Sequence, residues 1–165
     1  MAAAVLMLTA CASTRPVAAI MPRLDIAAAQ AALREAARPR ADELDVQPLR
    51  DPQVADLQEQ ARMEALARHF DAAAVTLDRA LLLQPGDPVL LQERAEAALM
   101  LGRATEADRF AHESHRAGPK VGPLCRRAFE VRLQAARLAS PVNAPGVDAL
   151  GRERDACTIT PPPRY

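Results

Sequence analysis

The apolar residues of this chain recur with the period of an α-helix. Between residues 70 and 84 they include Ala73, Leu77, Ala80 and Leu81, at spacings of 4, 3 and 1. Spacings of three and four bring side chains to one face of a helix, because an α-helix has about 3.6 residues per turn. The pattern therefore predicts an amphipathic helix over 71–84.

Two further segments show an apolar face of the same kind. The first, 123–139, has spacings of 4, 3, 4 and 3 at Leu124, Ala128, Val131, Ala135 and Leu138. It is predicted to be a helix that caps the domain. The second segment, 25–38, has its apolar side at Ile26, Ala29, Leu33 and Ala37. It lies in a linker, 11–50. It is either a helix that is capped by Asp25 and covers the other end of the domain, or a partly ordered stretch, because prolines follow it.

Proline and glycine mark where helices begin and end. Asp51-Pro52 and Asp87-Pro88 each place a capping acid before a proline at the first helical position. Gly102 is suited to end a helix in the left-handed conformation. These signals predict helices near 53–67, 88–101 and 105–117, within a domain of 51–139. The five prolines of 140–165 predict an extended tail.

Composition agrees with an all-α fold. Alanine, the best helix former, accounts for 37 of the 165 residues, whereas aromatic residues make up 2%. The formal charge of the whole chain is zero, but residues 41–100 carry a net −7 and residues 101–140 a net +4. The balanced charge and the scarcity of aromatic rings argue against nucleic-acid binding, which needs a basic surface and rings on which bases stack.

A sequence repeat runs through the predicted domain. The sequence LQEQA starts at Leu57 and LQERA starts at Leu91, which is an offset of 34. Three more pairs have the same offset: Ala61 with Ala95, Ala73 with Ala107, and Pro85 with Pro119. This period, with small residues inside the helices and a proline after the second helix, resembles the tetratricopeptide repeat (TPR), a helical hairpin.

The TPR resemblance implies an all-α fold of TPR-like helical hairpins, with two repeats over about 52–119 and the 123–139 helix as a C-terminal capping helix. In TPR proteins the first helix of each hairpin lines a groove that binds peptides or helices of partner proteins. Carrying those positions over at the offset of 34 gives six partner-binding residues: Gln58, Arg62, Gln92, Glu96, Arg126 and Glu130. An alternative for these side chains is pairing with one another along the helices or simple solvation.

The first residues resemble a bacterial export signal. Leu8-Thr9-Ala10-Cys11 follows an apolar run and resembles a lipobox, whose cysteine is lipidated and becomes the mature N-terminus. The resemblance implies a signal peptide at 1–10, a lipid anchor on Cys11 and a periplasmic position at the outer membrane. Two other interpretations stay open: an A-x-A cleavage site at Ala10-Cys11-Ala12 in a soluble periplasmic protein, and an apolar N-terminus without a signal.

Cys125 and Cys157 are predicted to form a disulfide. With Cys11 lipidated or removed, these two cysteines remain, and disulfides persist in the oxidising periplasm. The bond would tie the tail to the 123–139 helix. The alternative is a buried free Cys125 in a small core position and an unrelated, exposed Cys157.

The sequence offers little that suggests catalysis. It has no phosphate-binding glycine loop and no nucleophile elbow, so an enzyme, a cofactor or a small-molecule substrate is not implied. His112 and His115 are three residues apart, one short of the zinc-binding H-E-x-x-H spacing, so a metal-binding protein is a minor alternative. The leading hypothesis is an envelope-anchored adaptor for a protein or peptide partner. The other is a structural lipoprotein that self-associates through its acidic and basic halves.

Overall fold

The computed structural model describes residues 24–40, 43, 49–140 and 146–158. Within these residues the chain forms only α-helices and turns, so the fold is all-α, as the sequence predicts. The helices are α1 (Ile26–Ala37), α2 (Pro52–Leu66), α3 (Phe70–Leu83), α4 (Pro88–Met100), α5 (Ala104–Ala117), α6 (Pro123–Ala139) and α7 (Val147–Ala156). Helices α2 to α6 occupy the five ranges predicted for the domain, and α1 lies within 25–38.

Hydrogen bonds to capping carboxylates explain where α1, α2 and α4 begin. Asp87 accepts from the backbone N–H groups of Val89 and Leu90 at 2.9 Å each, ahead of α4. Asp51 caps α2 and Asp25 caps α1 in the same way. The first N–H groups of a helix have no partner inside the helix, so these bonds stabilise each start.

The α2–α3 turn and the α4–α5 turn have the same backbone geometry. Gly102 has a φ of 74°, and Arg68, which precedes it by the repeat offset, has a φ of 64°. In each turn the next residue donates its N–H to a carbonyl five residues back, which is the closure typical of a left-handed helix end. The two bonds run from His69 to Glu64 and from Arg103 to Ala98, at 2.9 Å each. The left-handed conformation at Arg68 costs a non-glycine residue about 1 kcal/mol.

Helix α4 forms the centre of the domain. It packs against α3, α5 and α6, and nine of its 13 residues are buried. Small side chains allow this close packing, because alanines are fully buried in several neighbouring helices. They are Ala80, Ala95, Ala98, Ala107, Ala111 and Ala128.

Two segments outside 51–139 pack onto the domain and correct the predicted organisation. Helix α1 packs against α6 and contributes Ala29 and Leu33 to the main apolar core. Helix α7 also packs against α6, so α6 is an internal helix and not a terminal cap. An extended tail over 140–165 is wrong for 147–156, because this proline-free stretch forms α7 after Gly146.

A disulfide joins α6 to the end of α7. Cys125 and Cys157, the pair for which the sequence predicts a bridge, are bonded with their Cα atoms 5.7 Å apart. Phe129 and Leu150 pack against the bridge. Gly122 donates its backbone N–H to the carbonyl of Cys157 at 2.7 Å. No residue of α7 itself is buried, so these few contacts hold the helix in place.

The N-terminal predictions fall outside the described residues. They are the signal peptide at 1–10, the lipidation of Cys11 and the A-x-A alternative. In the described part of the chain, no helix is both long enough and apolar enough to span a bilayer.

Candidate functional site

A cavity of about 690 Å³ lies between α1, α2, α3 and α4, and we refer to it as the α1–α4 cavity. Its floor is apolar and includes buried side chains from each of these helices: Leu33, Ala61, Phe70, Leu77, Ala97 and Met100. The alanines leave space that larger residues would fill. Ligand sites in proteins typically have volumes of about 300–1,000 Å³ and apolar linings, so this cavity has the size and character of a binding site.

Charged residues surround the apolar floor. Four arginines and two glutamates contribute to the lining: Arg34, Arg62, Arg68, Arg127, Glu93 and Glu96. Leu66 also lines the cavity, although 77% of its surface is exposed. The mouth therefore combines an exposed apolar side chain with a ring of charge, which is the usual arrangement of an apolar interface centre and a polar rim.

Glu93 is a largely buried carboxylate of the α1–α4 cavity that accepts three hydrogen bonds. Its Oε1 accepts from Gln58 Nε2 at 2.9 Å, from Arg62 Nε at 3.1 Å and from Arg62 Nη2 at 3.0 Å. The side chain is only 12% exposed, and its buried Oε2 has no hydrogen-bond partner within the described residues. Burial raises the pKa of the Glu93 carboxyl above its ordinary value of 4.5, and the nearby guanidinium of Arg62 offsets this only in part.

Glu96 links α4 to α6. Its Oε1 accepts from Gln92 Nε2 at 2.9 Å and from Arg127 Nε at 2.8 Å. Together with the Arg62–Glu93 pair, this contact connects α2, α4 and α6 along one side of the cavity. Both carboxylates of the cavity are therefore already engaged by a guanidinium of the chain itself.

The six predicted partner-binding residues divide into two groups. Arg62 and Glu96 line the α1–α4 cavity, and their side chains are 50% and 23% exposed. The other four are buried and bonded inside the domain, so the structure does not place them on a partner-binding surface. These four are Gln58, Gln92, Arg126 and Glu130.

The burial of Arg126 and Glu130 follows from the packing of α1 and α7 on α6. Arg126 donates to the backbone carbonyls of Ala36 and Arg38 at 3.1 Å and 2.8 Å, and to Glu43 at 2.8 Å. It thus holds a segment of its own chain. Glu130 accepts from Arg154 of α7 at 2.8 Å, as well as from a glutamine of its own helix. The contacts with α1 and α7 have no local sequence signal, because the partners are distant along the chain.

Sequence reasoning missed four charged residues of the cavity. Arg34 belongs to α1, which the sequence predicts as a helix or a partly ordered stretch within a linker, and Arg68 belongs to the α2–α3 turn. Glu93 and Arg127 follow Gln92 and Arg126 directly, and they are themselves separated by the same offset of 34. The repeat offset relates these two residues, but its third member, Glu59 of α2, does not line the cavity. The carried-over positions include one cavity residue in α2, Arg62, and one in α4, Glu96. They include none in α6, where the lining residue is Arg127.

The histidine pair is not part of this site. The ring of His115 lies 4.7 Å from that of Phe129, beside the disulfide, and burial lowers the pKa of His115 below its ordinary value of 6.5. His112 is exposed. Among residues 24–40, 43, 49–140 and 146–158, no group of three or more His, Cys, Asp or Glu side chains is arranged to hold a metal ion.

Comparison with known proteins adds no assignment to this geometry, because neither a family model nor a curated protein matches the chain.

Replacing Glu93 with glutamine is expected to stabilise the protein modestly at neutral pH. The raised pKa means that the folded state binds a proton at Glu93 more tightly than the unfolded state does. The buried charge therefore lowers stability as the pH rises above about 4.5, the ordinary value. Glutamine removes that charge and keeps an acceptor for Gln58 and Arg62. Urea unfolding at neutral and acidic pH measures the difference, which should vanish below pH 4.5. A Glu93→Gln variant that unfolds at lower urea concentrations than the native chain at neutral pH would contradict this account.

Proposed function

We propose that this chain is a protein-binding adaptor that receives a segment of a partner protein in the α1–α4 cavity. The observation that carries the proposal is the cavity itself, which joins an apolar floor of about 690 Å³ to a charged mouth. Burial of apolar surface supplies most of the affinity in such sites, and charges at the rim give orientation and specificity. Leu66, exposed at the mouth, offers a further apolar contact.

A TPR-like arrangement of the hairpins is part of the proposal. The α2–α3 and α4–α5 turns support it, because their left-handed residues, Arg68 and Gly102, are separated by the repeat offset and have matching φ values. The residues after them, His69 and Arg103, also match, with φ and ψ of −86° and 65° against −87° and 70°. Two hairpins that share turn geometry at this period are what tandem helical repeats require. Helices α2 and α4, which line the cavity, are the first helices of these hairpins.

We further propose that the adaptor is anchored to the cell envelope by a lipid on Cys11, on the periplasmic side of the outer membrane. The support is the lipobox resemblance at 8–11 and a disulfide that suits an oxidising compartment. Expressed behind a basic n-region, the chain should incorporate a palmitate analogue and partition with membranes. The Cys11→Ser variant should lose both properties, since its nucleophile for acylation is gone. Equal labelling of the two proteins would reject the anchor, and an unlabelled, soluble mature protein would favour A-x-A cleavage.

Site-specific photo-crosslinking tests the adaptor function. Leu66 and Leu82 are matched positions, since both are exposed leucines, at 77% and 81%, and only Leu66 lines the α1–α4 cavity. A photoreactive amino acid at 66 should capture a partner protein in cells, whereas the same group at 82 should not. Filling the cavity by Ala65→Phe should abolish capture at 66. The control Ala55→Phe, on the exposed face of α2 outside the cavity, should leave capture unchanged.

Three results would count against the adaptor. Equal capture from 66 and 82 would show no preference for the cavity, and capture that survives Ala65→Phe would place the contact elsewhere. A crosslinked product made only of two copies of this chain would favour the self-associating lipoprotein instead. Far-UV circular dichroism of each variant checks that the helices remain intact.

A further inference from the structure

We infer that the segment received by the α1–α4 cavity is acidic as well as apolar: an amphipathic stretch of a partner protein that places an apolar side chain on the floor and carboxylates at the mouth. This inference rests on the proposed function and specifies the chemistry of the partner. It follows from two cavity arginines that form no ion pair with another described residue, and from the apolar residues of the floor.

The charges that line the cavity do not balance. Four arginines and two glutamates contribute to the lining, an excess of two positive charges. Glu93 is held by Arg62, and Glu96 is held by Arg127. A basic ligand would therefore meet two carboxylates that are each already paired with a guanidinium, and would have to displace an existing ion pair.

Two arginines of the cavity lining remain. Arg34 of α1 and Arg68 of the α2–α3 turn are exposed and line the cavity. Neither takes part in any ion pair between residues that the structure describes. Guanidinium groups bind carboxylates through two parallel hydrogen bonds, so this pair is suited to acidic side chains that enter between α1 and the turn.

The cavity floor can receive an apolar side chain. It combines the small side chains of Ala61 and Ala97 with the larger ones of Phe70 and Met100, all of them buried. A leucine or phenylalanine of the partner can fill this space, while residues on either side of it remain at the mouth. On an amphipathic helix those neighbours are polar, which brings their carboxylates close to the arginines. The same segment thus satisfies both the floor and the rim.

Peptide binding tests the inference. Three synthetic amphipathic peptides share the same leucines and carry glutamate, glutamine or lysine at every polar position. Fluorescence anisotropy measures their affinity for the full chain with Cys11→Ser, which prevents acylation. The glutamate peptide should bind about tenfold more tightly than the lysine peptide, since two exposed charge contacts of this kind differ by roughly that factor. Added salt should reduce the preference, because it screens exposed charges.

Charge reversal then assigns the preference to its residues. Arg34→Glu with Arg68→Glu should invert the order of the glutamate and lysine peptides. The matched control is Arg79→Glu with Arg116→Glu, two exposed arginines outside the cavity, which should leave the order unchanged. Ala65→Phe should weaken all three peptides alike, since it fills the floor and not the rim.

The outcomes separate the inference from the proposed function. If the lysine peptide binds as tightly as the glutamate peptide, and Ala65→Phe still weakens its binding, the acidic partner is overturned while the adaptor function stands. If the peptides bind the Ala65→Phe variant as tightly as they bind the chain with an unfilled cavity, both the acidic partner and the adaptor function are overturned. Anionic phosphatidylglycerol vesicles that bind only while Arg34 and Arg68 are intact, with no preference among the peptides, would assign the two arginines to a lipid surface and overturn the inference.

Discussion

Removing the disulfide by Cys125→Ser with Cys157→Ser is expected to lower the free energy of unfolding by about 3–4 kcal/mol. The bridge closes a loop of 32 residues, and without it the unfolded chain regains the entropy of that loop. Helix α7 should be affected most, because it has no buried residue of its own. Its remaining contacts include the Arg154–Glu130 ion pair, the packing of Leu150 and the backbone hydrogen bond from Gly122 to Cys157. Chemical denaturation gives the free energy, and amide hydrogen exchange reports the opening of α7.

The third cysteine provides the control for this measurement. Cys11→Ser leaves the bridge intact, so its unfolding midpoint should equal that of the native chain. A reducing agent should reproduce the effect of the double substitution in the native chain and change nothing in the double variant. An unchanged midpoint after loss of the bridge would mean that the unfolded state does not gain the expected entropy.

Arg126→Ala is expected to destabilise the protein by about 3 kcal/mol, which is the scale for removing one member of a buried, hydrogen-bonded charge pair. Arg126 is 2% exposed and bonds to two backbone carbonyls at the end of α1 and to Glu43. Its loss should release α1 from α6. Amide exchange in α1 and urea unfolding measure the change. Arg137→Ala, an exposed arginine on the same helix, is the matched control and should have little effect.

The effect of Arg126→Ala should depend on pH. The hydrogen bond from Arg126 lowers the pKa of the Glu43 carboxyl below its ordinary value of 4.5. A lowered folded-state pKa gives stability that is present above the unfolded value and is lost as the pH falls through the folded value. The native chain should therefore lose the part of its advantage over the variant that comes from the Glu43 pair as the pH falls below 4.5. A difference that stays constant into the acidic range would show that Glu43 contributes nothing and that the carbonyl contacts carry the effect.

The two substitutions probe different contacts of α6, and they should differ in their effect on binding. Helix α1 forms one wall of the α1–α4 cavity through Leu33 and Arg34, so releasing it by Arg126→Ala should also weaken partner capture. Helix α7 does not line the cavity, so loss of the disulfide should lower stability while capture by the folded protein persists. If both substitutions acted only by lowering stability, partner capture by the folded protein would not differ between the two variants.

Local sequence signals were enough to predict the domain helices and their boundaries. Asp51, Asp87 and Gly102 act on neighbouring backbone groups, so their effects are local and appear in the sequence pattern. The apolar spacings of α3 and α6 report which face of each helix is buried for the same reason. The turn at Arg68 is an exception to these local signals, because the fold imposes a left-handed conformation on a residue that disfavours it.

The accessibility of the charged side chains, by contrast, depends on how the helices pack. Of the positions chosen by the offset of 34, Arg62 and Glu96 line the α1–α4 cavity. Arg126 and Glu130 are instead covered by α1 and α7. These contacts join residues separated by 83 to 90 positions for Arg126 and by 24 for Glu130. Helical periodicity states which side chains share a face of one helix, whereas burial depends on which other helix packs against that face. The positions of α1 and α7 are set by apolar packing and by the disulfide across the fold, so no local pattern specifies them.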